Sequence, residues 1–122
     1  MARVQHVTVT VPDEGLLPAV ESFYNILGGV SQTRPVKLAA DTPGRWLGFE
    51  NTQVHLIIGD PVVDPAHFAL DLGNEYDAVR AQLAAHKMVV LQARDLWGAR
   101  RCFVRDPAGN RVELFERAPG NT

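Results

Sequence analysis

Four side chains that can bind a metal ion or transfer a proton stand in segments whose residues alternate as in β-strands: His6, His55, His67 and Glu113. Imidazole and carboxylate are protein ligands for divalent zinc, iron, manganese, cobalt and nickel. A histidine is also a general base or acid near neutral pH. Such side chains act together only if the fold brings their strands together.

The segments that carry these residues are related in pairs. His6 in HVTVTV matches His67 in HFALDL at a spacing of 61 residues (67 − 6), and His55 in VHLII matches Glu113 in VELFE at a spacing of 58 (113 − 55). Changes in loop length absorb the difference of three residues. Each half of the chain is predicted to contain a strand, a helix and three further strands, which is an internal repeat. The four candidates therefore occupy two pairs of equivalent positions.

Each candidate lies on the strand face opposite the most aliphatic residues of its strand. Those residues are Val7/Val9/Val11, Val54/Leu56/Ile58, Phe68/Leu70/Leu72 and Val112/Leu114. We expect them to pack against helices, because successive side chains of a strand point to opposite faces. A single strand histidine is more often a satisfied side chain than a ligand, and Glu113 alone would be a surface charge. Their joint occurrence at equivalent positions favours a metal site.

The first module covers about residues 3–59. Its predicted elements are a strand Val4–Val11, a helix that starts at Asp13–Gly15 and stops at Gly28–Gly29 with Pro18 in its first turn, a strand Val30–Pro35, a loop Val36–Gly44, and a hairpin of Arg45–Glu50 and Gln53–Ile58.

The second module covers about residues 66–117 and follows a linker at about residues 60–65, within Gly59–Pro65. Its predicted elements are a strand Ala66–Leu72, a helix capped by Asn74 that buries Val79 and Leu83 and ends at His86 and Lys87, a strand Met88–Ala93, a turn Asp95–Gly98, and a hairpin of Arg100–Arg105 and Arg111–Glu116. Between the hairpin strands, Asp106–Asn110 is a turn, because Pro107 fixes φ and Gly109 allows a positive φ.

Composition narrows the class of protein. A chain of 122 residues with 46% hydrophobic and 21% charged residues is predicted to form one domain over residues 1–122. The predicted order of strands and helices makes it an α+β domain. The net charge of −2 gives no basic surface for nucleic acid, and no apolar run approaches the length of a membrane helix. Cys102 is the single cysteine, so no internal disulfide forms and a reducing cytoplasm is expected.

Other residues have weaker claims to function. Arg100 or Arg101 is a candidate partner for an anionic substrate, although an ion pair with the protein is the simpler expectation. Trp46, Trp97 and Phe115 either line an apolar pocket or pack in a core. We interpret Cys102 as a small buried thiol, His86 as a surface residue, and Tyr24 and Tyr76 as helix residues.

The chain resembles the vicinal oxygen chelate superfamily, which includes glyoxalase I, extradiol dioxygenases, fosfomycin-resistance enzymes, methylmalonyl-CoA epimerase and bleomycin-binding proteins. The motifs that carry the resemblance are HVTVTV, FYNILGG, HFALDL and FVRDPAGNRVELFE, and together they cover nearly everything from Val4 to Glu116. The resemblance implies two βαβββ modules that form a cupped mixed sheet with helices on its outer face, usually in a homodimer.

In that superfamily the metal ligands come from the first and last strands of the modules. The matching positions here are His6, His67 and Glu113, with His55 at the remaining site, where glyoxalase I and the epimerase usually carry Glu or Gln. The resemblance thus implies a divalent-metal enzyme of the glyoxalase or dioxygenase type, with His55 and Glu113 as catalytic residues. Here His55 is either a ligand or the general base.

Two other functions remain open. One is a metal-free protein that sequesters a small ligand or drug in a homodimer, as the bleomycin-resistance proteins do. The other is a dimer in which the metal has a structural role. The sequence leaves three points open: the small-molecule substrate, the metal (Fe, Mn, Zn, Ni or Co), and whether one chain or two build the site.

Overall fold

The protein, analysed as a computed structural model that describes residues 1–61 and 63–119, is an α+β protein of two βαβββ modules. This fold class confirms the sequence prediction. The residues form two compact units: one runs from Met1 into the linker and includes Pro107–Asn110, and the other comprises Val63–Asp106 and the chain from Arg111 onward. That the modules share a single domain over residues 1–122 stays a prediction.

The first module contains four strands and two helices. They are β1 (His6–Val11), α1 (Leu17–Ile26), β2 (Val30–Gln32), α2 (Val36–Asp41), β3 (Gly44–Gly48) and β4 (Gln53–Ile58). The sheet order is β1-β4-β3-β2, with β1 parallel to β4 and the other neighbours antiparallel. The first and last strands of the module are therefore neighbours.

The second module repeats this topology. It consists of β5 (Phe68–Asp71), α3 (Tyr76–Ala85), β6 (Val90–Gln92), β7 (Arg101–Arg105) and β8 (Arg111–Phe115). The order β5-β8-β7-β6 again places the first strand parallel to the last. The internal repeat predicted from the sequence is present in both sheets.

Each module has its own apolar core. In the first, α1 packs against β2 and β3 and buries Leu17, Val20 and Phe23, while the sheet buries Leu47 and Val54. The aliphatic face that the alternation predicts is the buried one, although Ile58 at the end of β4 is 38% exposed.

In the second module the buried side chains of α3 are Tyr76, Val79 and Leu83, and those of β8 are Val112 and Leu114. The prediction of Val79 and Leu83 as the buried stripe is confirmed. The two longer helices, α1 and α3, are each followed by a residue with positive φ, which is Gly28 after α1 and Lys87 after α3.

Two local predictions were wrong. Val36–Asp41, predicted as part of a loop, is a short helix, since Pro35 provides its N-cap and the sequence VKLAAD is rich in helix-forming residues. Asn74 does not cap α3: it lies in a 3₁₀ turn, Gly73–Glu75, that precedes the helix. The side chain of Asp71 supplies the local bond instead, accepting from the Gly73 amide at 3.0 Å.

The turn between β7 and β8 forms as predicted, and Gly109 has φ of +99°. Val62 of the predicted linker and residues 120–122 of the predicted domain lie outside the described residues. Within the described residues, no helix is both long and apolar enough to span a bilayer.

Candidate functional site

In the first module, three aromatic rings are stacked at the predicted site. The ring centroids of His6 and His55 lie 4.0 Å apart, and those of His55 and Trp46 lie 4.2 Å apart, with interplanar angles of 15° and 3°. The strand register explains the arrangement, because Trp46 is directly opposite His55 and His6 is diagonal to it across the parallel β1–β4 pair. The stack holds His55 between two flat partners.

Glutamine side chains fix the orientation of both imidazoles. Nδ1 of His6 is 2.5 Å from Oε1 of Gln5, and Nε2 of His55 is 2.9 Å from Oε1 of Gln53. The same Gln53 oxygen accepts from Nε2 of Gln5 at 3.1 Å, while Nε2 of Gln53 donates to Gln32 at 2.8 Å. These glutamines also line a cavity of about 330 Å³ in this module.

The hydrogen bonds leave one nitrogen lone pair on each ring. A neutral His6 that donates from Nδ1 keeps a lone pair on Nε2, and a neutral His55 that donates from Nε2 keeps one on Nδ1. Burial lowers the pKa of His55, as do the nearby His6 and Arg34, so the neutral form is favoured. A neutral ring whose other nitrogen is hydrogen-bonded to oxygen is the state in which histidine binds metals.

In the second module, the predicted site is ionic. Nε2 of His67 lies 3.0 Å from Oε1 of Glu113, and Nη1 of Arg101 donates to Oε2 of the same carboxylate at 2.8 Å. Glu113 is only 7% exposed. A carboxylate this deeply buried needs a nearby positive charge, and Arg101 supplies it.

His67 and Glu113 are in direct contact, and together they offer two atoms that could contact one cation. Nδ1 of His67 is 2.7 Å from the carbonyl oxygen of Pro65, so this nitrogen carries a proton. Nε2 then faces Oε1 of Glu113 at 3.0 Å, and a cation bound by both atoms would stabilise the pair. The residues of both modules thus fit a divalent metal by their chemistry.

The structure brings the predicted residues together in pairs, His6 with His55 and His67 with Glu113. Among the residues that the structure describes, no three His, Cys, Asp or Glu side chains form a group that could hold a metal ion. The four-ligand site and the catalytic roles of His55 and Glu113 therefore stay predictions.

The weaker candidates have definite positions. Arg100 pairs with Asp77 and Glu116, whereas Arg101 pairs with Glu113. Trp97 stacks on Phe115 at 5.0 Å between ring centroids. His86 is exposed at the end of α3, as predicted.

The interpretation of Cys102 is also confirmed. Its thiol is fully buried, and burial raises its pKa, so this residue is not a reactive nucleophile. Tyr24 and Tyr76 lie on α1 and α3, as expected, and both are buried.

Sequence reasoning did not identify Gln53 or Phe103 as residues of the site. It also did not decide between Arg100 and Arg101 as the arginine that reaches it. The signal was present in the strand periodicity. If residues are paired outward from the hairpin turn, Phe103 is opposite Glu113 and Arg101 is opposite Phe115. Arg101 is therefore on the same face of the sheet as Glu113. Gln53 lies two residues before His55 on the same face of β4.

Comparison with known proteins identifies relatives by structure only. No family model matches the sequence, and no curated protein matches it. A glyoxalase family protein from Bacillus anthracis matches with a TM-score of 0.82 at 24% identity over 97% of each chain. A fosfomycin resistance protein from Listeria monocytogenes matches with a TM-score of 0.76 at 16% identity over 97% of this chain and 93% of that one.

A lactoylglutathione lyase from Agrobacterium tumefaciens matches with a TM-score of 0.71 at 18% identity over 94% of this chain and 93% of that chain. The three matched proteins share the two-module fold that the resemblance implies. Each match covers both modules, so the paired βαβββ topology is shared along nearly the whole chain. The resemblance found in the sequence is confirmed at the level of structure, since the chain has the fold of these glyoxalase, lyase and fosfomycin-resistance proteins.

Proposed function

We propose that the protein is a divalent-metal-dependent enzyme of the glyoxalase or dioxygenase type, which acts on a small molecule chelated through adjacent oxygens. The observation that carries the proposal is the pair formed by Nε2 of His67 and Oε1 of Glu113, 3.0 Å apart. With the proton of His67 held on Nδ1 by Pro65, these two atoms present lone pairs to one point. The fold shared with glyoxalase and fosfomycin-resistance proteins supports the same function.

The ligands in this proposal are His6, His67 and Glu113, with His55 as a fourth ligand or as the general base. Gln5 and the Pro65 carbonyl hold the first two imidazoles in the tautomers that ligation requires. When bound, a divalent ion supplies Lewis acidity toward the substrate oxygens.

His55 has the properties of a base at neutral pH. Burial, His6 and Arg34 lower its pKa, and Nε2–H donates to Oε1 of Gln53, so the lone pair of Nδ1 remains to take a proton from substrate. Arg101 holds Glu113 in place by pairing with its second oxygen. Within this proposal the protein works as a cytoplasmic homodimer, as the single cysteine and the resemblance suggest.

A metal-free ligand-binding protein is the second candidate, and one observation favours it. Arg101 already pairs with Glu113, and the His6–His55 pair is satisfied by glutamines, so both pairs are stable without a metal. Such a protein would hold its ligand by shape and charge alone.

Metal content separates the two functions. The purified protein is stripped with a chelator, titrated with Fe, Mn, Zn, Ni or Co in turn, and analysed for bound metal by elemental analysis and calorimetry. About one ion per chain is expected, with loss of uptake of at least tenfold in His67→Ala and Glu113→Gln. His86→Ala and Glu116→Gln are matched controls outside the site and keep full uptake.

Two results would contradict the proposal. Uptake of no ion by the wild-type protein favours the ligand-binding function. Full uptake by His67→Ala or Glu113→Gln shows that the ligand set is different. A structural metal would give a third result: chelation would lower the melting temperature by a large amount and unfold the protein, instead of only removing its activity.

A further inference from the structure

The second module contains a cavity of about 460 Å³ that the metal-site proposal does not use. Its lining includes Asp64, Val89, Leu91, Phe103, Arg105 and Arg111. Small-molecule sites in proteins have volumes from about 300 to 1,000 Å³ and combine apolar walls with a few polar groups. This cavity has both properties.

The charged groups of the cavity leave one positive charge unpaired. Asp64 accepts two hydrogen bonds from Arg105, at 3.2 and 2.5 Å, so these two charges neutralise each other. The guanidinium of Arg111 lies 4.0 Å from the centroid of the Phe103 ring and has no ion pair among the described residues. One carboxylate against two guanidiniums gives a net lining charge of +1 (2 − 1).

The opposite part of the lining is apolar and open. Val89 and Leu91 are 76% and 65% exposed, which is a large exposure for two neighbouring aliphatic side chains. Phe103 completes this apolar part, with Arg111 stacked on its face. A ligand that covers these side chains gains hydrophobic stabilisation.

Phe103 also connects the cavity to the His67–Glu113 pair. Its ring meets the His67 ring edge-to-face, with the centroids 5.5 Å apart. It is directly opposite Glu113 in the β7–β8 register. A ligand in the cavity therefore lies beside the imidazole and the carboxylate that the proposed function assigns to the metal.

We propose that this cavity binds a small monocarboxylate with an aryl or branched alkyl body. The carboxylate accepts hydrogen bonds from Arg111, and the body packs on Phe103, Leu91 and Val89. The inference deepens the proposed function. Binding of the ligand in the cavity does not depend on that function, and only the claim that this ligand is the substrate rests on it.

The charge balance distinguishes a carboxylate from a phosphate. Arg105 is occupied by Asp64, and the Asp64 carboxylate repels a second negative charge near Arg111. Arg105 lowers the pKa of Asp64, with a smaller contribution from Arg111, so Asp64 remains ionised at neutral pH. A monoanion matches the single unpaired guanidinium, whereas a dianion does not.

The experiment measures binding of matched charged and neutral probes by calorimetry. The probes are 3-phenylpropionate, 4-methylpentanoate, their primary amides and inorganic phosphate, each titrated into chelator-treated protein and into metal-loaded protein. We expect each carboxylate to bind about tenfold or more tightly than its amide, because a charge-assisted Arg–carboxylate pair replaces a neutral hydrogen bond.

The variants identify the group responsible for this preference. Arg111→Gln is expected to remove the preference for carboxylate over amide, and Arg111→Lys to retain part of it. Arg94→Gln, an exposed arginine of the same module outside the cavity lining, keeps the wild-type preference. Asp64→Asn frees Arg105 and is expected to raise carboxylate affinity by about two- to fivefold.

Equal binding of acid and amide by the wild-type protein, tighter binding of phosphate, or an unchanged preference in Arg111→Gln would overturn the inference. Metal uptake, measured on the same samples, tests the proposed function separately. Carboxylate binding without metal uptake keeps the assignment of the cavity and refutes the metalloenzyme. Metal uptake without carboxylate preference does the reverse.

Discussion

In the first module Trp46 lies flat on His55, whereas in the second Phe103 stands opposite Glu113 at the equivalent place in the sheet. The backbone around both is the same, with the first strand parallel to the last. The side chains around the two site residues stabilise them in different ways. An imidazole can be held neutral by ring stacking and carboxamides, but a buried carboxylate requires a cation.

The strand position that carries the cation in the second module carries no side chain in the first. Arg101 is opposite Phe115, and the equivalent pair in the first module is Gly44 opposite Ile57. A Cβ atom on Gly44 would lie 2.5 Å from the carbonyl oxygen of Leu56, so no side chain fits there. In the first module the cation beside this position comes from another segment: Nη1 of Arg34 donates to the carbonyl oxygen of Gly44 at 3.3 Å, and Arg34 contributes to the lowered pKa of His55.

The largest expected effect tests whether, in the proposed homodimer, one site takes its ligands from one chain or from two. His6→Ala and Glu113→Ala each inactivate one module. If a site takes its ligands from two chains, co-refolding the two variants restores about a quarter of the wild-type metal uptake and activity, because half of the dimers are mixed and each has one intact site. If all ligands come from one chain, the mixture recovers nothing.

Each variant refolded alone gives the baseline for this experiment, and a mixture of either variant with His86→Ala controls for the refolding step. Recovery well above a quarter would mean that one of the two residues is dispensable. That result would contradict the ligand set itself.

The next effect concerns stability. Glu113→Gln leaves the guanidinium of Arg101 without a counter-ion, and we expect a loss of about 3 kcal/mol in the free energy of unfolding. His55→Gln breaks no ion pair and should cost about 1 kcal/mol or less. Urea unfolding of the metal-free proteins measures both changes.

The double variant Glu113→Gln/Arg101→Met sharpens this comparison, because removal of the unpaired charge should recover most of the loss. Glu116→Gln, which removes an exposed partner of Arg100, is the matched control. If Glu113→Gln cost no more than Glu116→Gln, the ionic character of the second module would have no energetic consequence.

The smallest effect is a pH dependence that belongs to the first module. The pKa of His55 is lowered in the folded protein, so below about pH 6.5 the unfolded chain binds more protons at this residue. This histidine therefore contributes nothing to the pH dependence above that value and destabilises the fold as the pH falls below it. The slope of unfolding free energy between pH 7 and 5.5 should be smaller in His55→Gln than in the wild-type protein.

Trp46→Leu provides a second measurement of the same effect. Removing the indole uncovers His55, so its pKa should rise toward the ordinary value in an NMR titration of metal-free protein. An unchanged His55 titration in Trp46→Leu would show that the stack is not what buries this residue.

Most of the fold was predictable because the modules follow strong local rules. The Asp106–Asn110 turn, the alternation in β4 and β8 and the repeat of the first strand indicate the strands and the hairpins, whereas the parallel pairing of the first strand with the last is seen in the structure. The misses were short and local. Six residues of α2 between Pro35 and Pro43 are too few for a periodic pattern, and Asp71 bonds the turn that Asn74 was expected to cap.

The sequence predicted one site of four residues, and the contacts that each residue makes could not be predicted from it. Strand order brings His67 near Glu113, yet the register decides that Arg101 rather than Arg100 reaches the carboxylate. The stack of His6 on His55 depends on side-chain rotamers and on the glutamines around them, which no strand pattern specifies. The sequence thus indicates which residues meet, and packing decides how.

The length of the outer strands has a consequence for association of the protein with itself. β2 and β6 each form one edge of their sheet, the other edges being β1 and β5, and each has only three residues. An incoming extended chain would find few free N–H and C=O groups along β2 or β6, so strand-by-strand aggregation has little template at these two edges. The second module can therefore leave Val89 and Leu91 exposed beside β6 for a ligand without turning that edge into a starting point for fibres.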